Sequence, residues 1–249
     1  MAEHDFEEKI RGADNMQFDI GSCDVMTGGM DKNRFLLYQL KLSMLKAGHI
    51  DIIVSGVQMI LDDLEQALER GAKIRILTGN YLGITQPGAL YLIKDKLGDQ
   101  VELRFYNDRG RSFHPKAYIF RNGDWGEIYI GSSNISKSAL TSGIEWNYHF
   151  DNRRDAYDFR QFYDTFEDLF YNHSIIINDQ VLKQYSKEWK KPAVQRDLER
   201  YDSLVNETDR VGGFEPRGAQ IEALYALKCS RREGAKKGLV YAATGIGKT

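Results

Sequence analysis

The sequence has no long apolar run, few cysteines and little net charge, and each shortage excludes a class of protein. Its longest apolar runs reach five or six residues, whereas a membrane-spanning helix needs about 20. The first ten residues, MAEHDFEEKI, are charged and contain no apolar signal region, so we expect a cytoplasmic protein without membrane association. Two cysteines, Cys23 and Cys229, provide neither a disulfide framework nor zinc-ligand spacing, and we expect both as reduced thiols.

The formal net charge of −2 excludes a strongly basic surface over the whole protein, so any site for a polyanion must be a local patch. One such patch is indicated between residues 101 and 121, where basic residues outnumber acidic ones around His114. At 249 residues with 42% hydrophobic residues, the chain is long enough for one large domain or two ordinary ones with a buried core.

The order of predicted elements favours an α/β fold, in which a mixed β-sheet is flanked by helices and followed by a helical extension. The segment NRFLLYQLKLSMLKAG predicts a helix that starts at a cap, Asp31 or Asn33, and ends near Gly48. Strands and helices then alternate, which predicts parallel strand pairs, and a hairpin follows around RNGDWG. We predict five segments, with boundaries at 1–29 (N-terminal segment), 30–152 (sheet domain), 153–206 (helical extension), 207–213 (linker) and 214–249.

The stretch SFHPKAYIF carries the first chemical signal. His114 and Lys116 are two residues apart on a predicted strand, so their side chains point to the same face and can share one anion. The hairpin folds GSSN, Gly131 to Asn134, back beside them, where hydroxyl, amide and loop N–H groups can donate to an oxyanion. Glu145 in GIEWN lies on the next strand and can orient the imidazole.

These three pieces together resemble the His-x-Lys…Gly-Ser-x-Asn pattern of the phospholipase D superfamily, specifically its nuclease branch, over roughly residues 30 to 150. One departure is that the fuller family motif has aspartate where this chain has Arg121, which weakens any claim of lipid phospholipase activity. The resemblance implies a phospholipase D-like fold and catalytic roles for His114, Lys116, Asn134, Glu145 and Ser132. Ser133, Arg109 and Arg111 are the candidates for substrate binding.

The resemblance also implies the chemistry. One histidine attacks phosphorus to form a phosphohistidine, a second protonates the leaving oxygen, and water releases the product. No metal or other cofactor is implied for this reaction. Because only His114 lies in such a motif, the second histidine must come from another copy of the chain, which predicts a homodimer with a shared site.

The last residues, AATGIGKT, resemble a Walker A phosphate-binding loop, and the preceding GLVYA predicts the strand that such a loop follows. Arg217 and Gln220 resemble the adenine-reading Q motif of superfamily 2 helicases. The implied nucleotide-binding residues are Arg217, Gln220, Gly245, Gly247, Lys248 and Thr249. We therefore expect the N-terminal fragment of a longer DEAD/DEAH-type helicase or restriction translocase, in which ATP and Mg²⁺ serve the motor alone and the rest of that polypeptide is a partner.

The favoured interpretation is a metal-independent nuclease acting on DNA, with RNA left open. Two alternatives remain: a phosphodiesterase for lipid or small-molecule diesters, and a non-catalytic module for DNA binding and dimerisation. Ser132 and Ser133 can instead shape a turn, and Glu145 and the arginines can simply be solvated.

Overall fold

The computed structural model describes residues 24–27, 35–54, 58–79, 85–107, 111–133, 145–190 and 219–240. Within these ranges eight strands form one mixed sheet in the order β1-β7-β6-β5-β2-β3-β4-β8. The strands are β1 Val25–Met26, β2 His49–Ile53, β3 Lys73–Thr78, β4 Val101–Tyr106, β5 Ala117–Asn122, β6 Trp125–Gly131, β7 Asn147–Asp151 and β8 Ser174–Ile176. The fold class that the sequence predicts is confirmed.

The described ranges contain six α-helices. They are α1 Leu36–Lys46, α2 Leu61–Glu69, α3 Pro87–Leu97, α4 Ala156–Asn172, α5 Asp179–Glu188 and α6 Ala219–Arg232. Short 3₁₀ turns precede α2 and follow α3. Pro87 stands in the first turn of α3, where its missing N–H costs nothing, and Gly71 adopts a φ of 89° just after α2, as a helix-ending glycine does.

Strand direction changes at the centre of the sheet. β2, β3 and β4 are parallel to one another, whereas β5 pairs antiparallel with β2. The carboxyl ends of β2 to β4 therefore meet the amino end of β5 at one edge of the sheet. In open α/β sheets, ligands bind at such an edge.

Both faces of the sheet are buried. One face packs its isoleucines and Phe120 against α1, α2 and α3. The other face is covered by α4, whose Phe166 and Phe170 pack on Ile119, Ile128 and neighbouring residues. Because both faces are covered, the central strands are nearly continuous apolar runs.

Three element predictions need correction or lie outside the described residues. The first predicted helix begins at Leu36, with no side-chain cap; Asp31 and Asn33 lie outside the described residues. Residues 174–176, unassigned from sequence, form β8 and pair with β4. The strand predicted at GLVYA is wrong for residues 238–240, which have no regular structure, because none of the described strands pairs with them.

The helix α6 packs against α3 and α5. The rings of Tyr91 and Tyr225 lie 5.2 Å apart, the Tyr225 hydroxyl donates to Asp179 Oδ1 at 3.0 Å, and Lys228 pairs with Asp95 at 2.6 Å. The segment boundaries predicted from the sequence stay predictions, as does the helix expected around residues 194–205, which lies outside the described residues.

Candidate active site

The segment before β5 is anchored at the edge of the sheet by Phe113. Its ring stacks on Tyr106 at a centroid distance of 4.5 Å. It also lies so close to Gly79 that a Cβ there would be 2.5 Å from its ring. Phe113 thus holds the segment against the carboxyl ends of β3 and β4 and fixes the position of the residue that follows it, His114.

His114 and Lys116 lie side by side at this edge, as predicted, but both precede β5, which begins at Ala117, rather than lying in the strand. Lys116 Nζ is 3.0 Å from His114 Nδ1 and 3.4 Å from Nε2, and it donates to the His114 carbonyl oxygen at 3.3 Å. An ammonium can only donate, so the ring nitrogen that it reaches must carry a free lone pair. The contact therefore favours the neutral imidazole.

The electrostatics act in the same direction. Lys116 is 8% exposed; burial lowers its pKa, and the charge of Glu145 acts against this effect. Partial desolvation lowers the pKa of His114, and the adjacent Lys116 lowers it further. The site thus contains an unprotonated nitrogen beside a cation, which is what attack on an anionic phosphodiester requires.

A second group of contacts forms where β6 ends. The Ser132 hydroxyl donates to Glu145 Oε2, and Ser132 exchanges two bonds with Trp146: its N–H donates to the Trp146 carbonyl at 3.0 Å, and its Oγ accepts from the Trp146 N–H at 3.1 Å. The residue before this group, Gly131, has to be glycine, because a Cβ there would lie 2.7 Å from Asn147 Cα. Glycine thus permits the close approach of the two strands.

Ser133 is fully buried and fixes the loop. Its hydroxyl accepts from Asn147 Nδ2 at 2.8 Å, and its carbonyl accepts from the Tyr118 hydroxyl at 3.1 Å. Burial, with the charge of Glu145, raises the pKa of Tyr118, so this hydroxyl stays a donor. The interior position of the Ser133 hydroxyl suits a structural contact rather than the substrate contact predicted for it.

The hairpin brings β5 and β6 together as predicted: Gly131 N donates to the Lys116 carbonyl at 3.3 Å. His114, Lys116, Ser132 and Glu145 therefore share one edge of the sheet. Glu145 precedes β7 rather than lying in it.

The other predicted residues are either placed elsewhere or lie outside the described ranges. Arg111 is exposed three residues before His114, and Gln220 lies on α6. Asn134, Arg109, Arg217, Gly245, Gly247, Lys248 and Thr249 lie outside the described residues.

Two of the other described histidines are placed away from this edge. His49 pairs with Arg121 across the strands, at the far end of β5, which is six residues or about 20 Å long. His149 Nε2 lies 3.1 Å from the buried Glu127. His173 lies at the same edge as His114, beyond β4, where its carbonyl accepts from Asn107 N at 2.9 Å and its ring lies 3.4 Å from Asp168.

Arg121, the departure from the family motif, belongs to an ionic cluster at the opposite edge. Its guanidinium is 3.1 Å from Asp51, which is 1% exposed and also pairs with Arg75 at 2.6 Å. Arg75 in turn pairs with Glu167 of α4 at 2.6 Å. Arg121 on β5 is therefore a cation at the position of the motif aspartate, and its carboxylate partner, Asp51, lies on β2. Through the pair of Arg75 with Glu167, the cluster holds α4 against the sheet beside a cavity of about 860 Å³.

An apolar cavity of about 380 Å³ adjoins the site. Lys116 and Gly131 lie at its edge, and Ile119, Phe162 and Leu169 are among its apolar walls. This cavity could not be predicted from the sequence, because it forms between the sheet and α4.

Three residues with defined positions were not singled out from the sequence: Tyr118, Trp146 and Asn147. Alternation from Lys116 to Tyr118 was the available signal for the first. For Asn147 and Trp146 the signal was their place in GIEWN, but sequence alone does not show which side chain is covered by another element.

In the part of the chain that the structure describes, no group of three or more histidine, cysteine, aspartate or glutamate side chains is arranged to hold a metal ion. None of the described helices has the length and apolar character to cross a bilayer.

The sheet topology and the histidine–lysine pair at its edge define a phospholipase D-like protein. The family model described as "Cardiolipin synthase, PLD-like domain" matches residues 42–170, more than half of the chain, and the chain belongs to this family. Comparison with curated proteins gives no match.

Solved structures share the fold at low sequence identity. Polyphosphate kinase from Porphyromonas gingivalis matches with a TM-score of 0.50 and 18% identity over 82% of this chain, which spans 32% of that protein. Nuc from Salmonella typhimurium, a phospholipase D family member, matches at 0.46 and 18% identity over 57% of this chain and 91% of its own. NucT from Helicobacter pylori matches at 0.46 and 14% identity, over 61% and 97%.

Proposed function

We propose that this protein is a metal-independent phosphodiesterase that cleaves DNA through a phosphohistidine formed on His114. The observation that carries the proposal is the 3.0 Å approach of the Lys116 ammonium to the His114 ring at the ligand-binding edge of the sheet. That contact supports a neutral imidazole, which is the nucleophilic form.

In the proposed reaction, Lys116 moves its hydrogen bond from the His114 ring to a non-bridging phosphate oxygen, which frees the ring lone pair. That nitrogen attacks phosphorus, the P–N bond forms and the P–O bond to the leaving group breaks. A second, protonated histidine gives its proton to the leaving oxygen. Water then attacks phosphorus, loses a proton to that second histidine, and the P–N bond breaks. Lys116, with Ser132 and Asn134, is assigned to the non-bridging oxygens, and Glu145 to the positioning of Ser132 through their hydrogen bond.

The second histidine is assigned to His114 of another copy of the chain, with both copies meeting at this edge. Support comes from the other described histidines: His49 lies at the opposite edge, His149 contacts the buried Glu127, and His173, beyond β4, contacts Asp168. The proposal therefore requires a homodimer, and dilution below the dissociation constant of the dimer should abolish cleavage while leaving the fold intact.

The direct test is cleavage of labelled single- and double-stranded DNA in excess EDTA, comparing wild type with His114→Ala. His49→Ala is the matched control, because His49 lies opposite Arg121 at the far edge of the sheet. We expect wild type and the control to cut and His114→Ala to be inactive, with a ³²P-labelled protein trapped by acid quench only when His114 is present. DNA binding without cleavage by any of the three would instead support the non-catalytic module.

We also propose that the nuclease is part of a helicase-type protein, because Arg217, Gln220 and the loop with Lys248 and Thr249 occur in the order of such motors. ATP and Mg²⁺ belong to that motor and not to the cleavage site. The test is ATP hydrolysis by the protein with its complete motor, which Lys248→Ala should abolish while leaving EDTA-resistant cleavage unchanged.

The apolar cavity beside Lys116 favours a second candidate, a phosphodiesterase for lipid diesters. An apolar substituent of a phosphate held at Lys116 has about 380 Å³ available next to it. Thr165→Trp at the wall of the cavity distinguishes the two: hydrolysis of a lipid diester should fall while DNA cleavage is retained. If Thr165→Trp hydrolyses both the lipid diester and DNA as fast as wild type does, that result would argue against the lipid candidate.

A further inference from the structure

Trp146 exposes a large aromatic side chain to solvent at the edge of the candidate site. It is 72% exposed, although tryptophan is normally well buried. Its backbone is nevertheless fixed, because its N–H and carbonyl both bond to Ser132. The indole therefore projects from a backbone that is held by Ser132, one residue after Glu145.

The exposed aromatic surface continues along β7. Tyr148 lies two residues further on, within β7, and is 44% exposed. Its ring lies 5.9 Å from Phe150, whose ring lies 5.6 Å from Phe162 on α4. Phe162 is itself 42% exposed and lines the apolar cavity. A row of aromatic rings thus leads from Tyr148, two residues beyond Trp146, to Phe162 on α4.

We propose that Trp146 is the stacking platform for an unpaired nucleobase next to the cleaved phosphodiester, which makes the enzyme selective for single-stranded nucleic acid. This inference rests on the proposed nuclease function. The choice of occupant follows from charge complementarity: the Trp146 backbone is bonded to Ser132, the neighbouring Gly131 donates to the carbonyl of the cationic Lys116, and Arg111 is exposed three residues before His114. A substrate that presents a phosphate and a flat ring within one nucleotide satisfies both features.

A stacking platform needs only an aromatic ring, and no polar side chains that would identify the base. Every nucleobase has a π face, so stacking on an aromatic side chain is tolerant of sequence. A base inside a duplex already has both faces covered by its neighbours and must be unstacked first. The platform therefore favours single strands over duplexes and does not select one base.

The test compares cleavage in excess EDTA of an oligothymidylate, an abasic strand of the same length, and a duplex. Trp146→Ala should lower kcat/KM on oligothymidylate about 10-fold or more, in line with the stacking energy of one base, and Trp146→Phe should retain most of the activity. On the abasic strand, Trp146→Ala should match wild type. Tyr157→Ala is the control, because Tyr157 is 75% exposed on α4 but lies outside the aromatic row.

Three results would overturn the inference. Equal loss on oligothymidylate and on the abasic strand would assign Trp146 to the fold or to the contact with a second copy, and light scattering of Trp146→Ala would tell these apart. Unchanged cleavage of oligothymidylate by Trp146→Ala would leave the nuclease function standing without the platform. If wild type cuts neither strand, the proposed function fails and the inference fails with it.

Discussion

Lys116 Nζ lies 3.0 Å from His114 Nδ1, and both side chains stand at the edge where three parallel strands end. The lysine is buried and the histidine is exposed. The cation is therefore held in place by the protein while the imidazole stays accessible to a substrate. A surface lysine at the same distance would be screened by water and free to move away.

The first prediction concerns the protonation of His114. Desolvation and then Lys116 lower its pKa from the ordinary value of 6.5, so the imidazole should titrate below 6.5 and be neutral at higher pH. Lys116→Met removes the charge of Lys116 but not the partial desolvation of His114, so the pKa of His114 should rise. Two-dimensional NMR of the histidine ring protons measures both. Lys41→Met, on α1, is the control, and a His114 pKa that falls or stays constant in Lys116→Met would contradict the prediction.

The second prediction concerns the ionic cluster that contains Arg121. Asp51→Ala leaves Arg75 and Arg121 without their shared buried carboxylate, and removing one partner of a buried ion pair costs about 3–5 kcal/mol. Urea unfolding should show a loss of this size. Asp164→Ala, which breaks the exposed pair with Arg160, should leave the urea unfolding curve almost unchanged, because water screens this pair. Equal losses in the two variants would show that the cluster is not a structural tie.

The third prediction concerns Gly131. A Cβ at this position meets the backbone of β7 at Asn147 Cα, 2.7 Å away, so Gly131→Ala must push the strands apart. We expect a destabilisation of about 1–3 kcal/mol and a loss of cleavage, because Ser132 and Glu145 lie directly beyond. The matched control is Gly48→Ala, where the nearest atom would be 3.5 Å away. Full activity of Gly131→Ala would mean that the loop does not depend on this close approach.

The fourth prediction concerns the attachment of α6. Tyr225→Ala removes the ring packed on Tyr91 and the hydroxyl bonded to Asp179, so α6 should open more often. Amide hydrogen exchange measures this opening, and exchange in 219–232 should accelerate while the sheet stays protected. Leu224→Ala, at a position 55% exposed on the same helix, should leave exchange unchanged. Faster exchange in the sheet as well would mean that α6 is part of the same cooperative unit.

Much of the sheet could be predicted from the sequence because its signals are local. Apolar runs bounded by glycine gave β2, β3 and β4, and helical spacing gave α2 and α4. The His114–Lys116 pair followed from their two-residue spacing in an extended segment, although both precede β5. β8 was missed because it is three residues long and exists only through pairing with β4. The strand expected at GLVYA failed for the same physical reason, since a strand needs a partner and its own residues cannot supply one.

The sequence by itself determined the α/β order of elements and placed His114, Lys116, Ser132 and Glu145 on neighbouring stretches of chain, because backbone period and hairpin spacing are local properties. Only the tertiary structure decided that Lys116 is buried, that Ser133 points inside and that Trp146 is exposed. It also decided that Asp51 supplies the carboxylate for Arg121. Each of these depends on which element covers a given face. Covering is set by packing between segments far apart in the chain, and a linear pattern does not contain it.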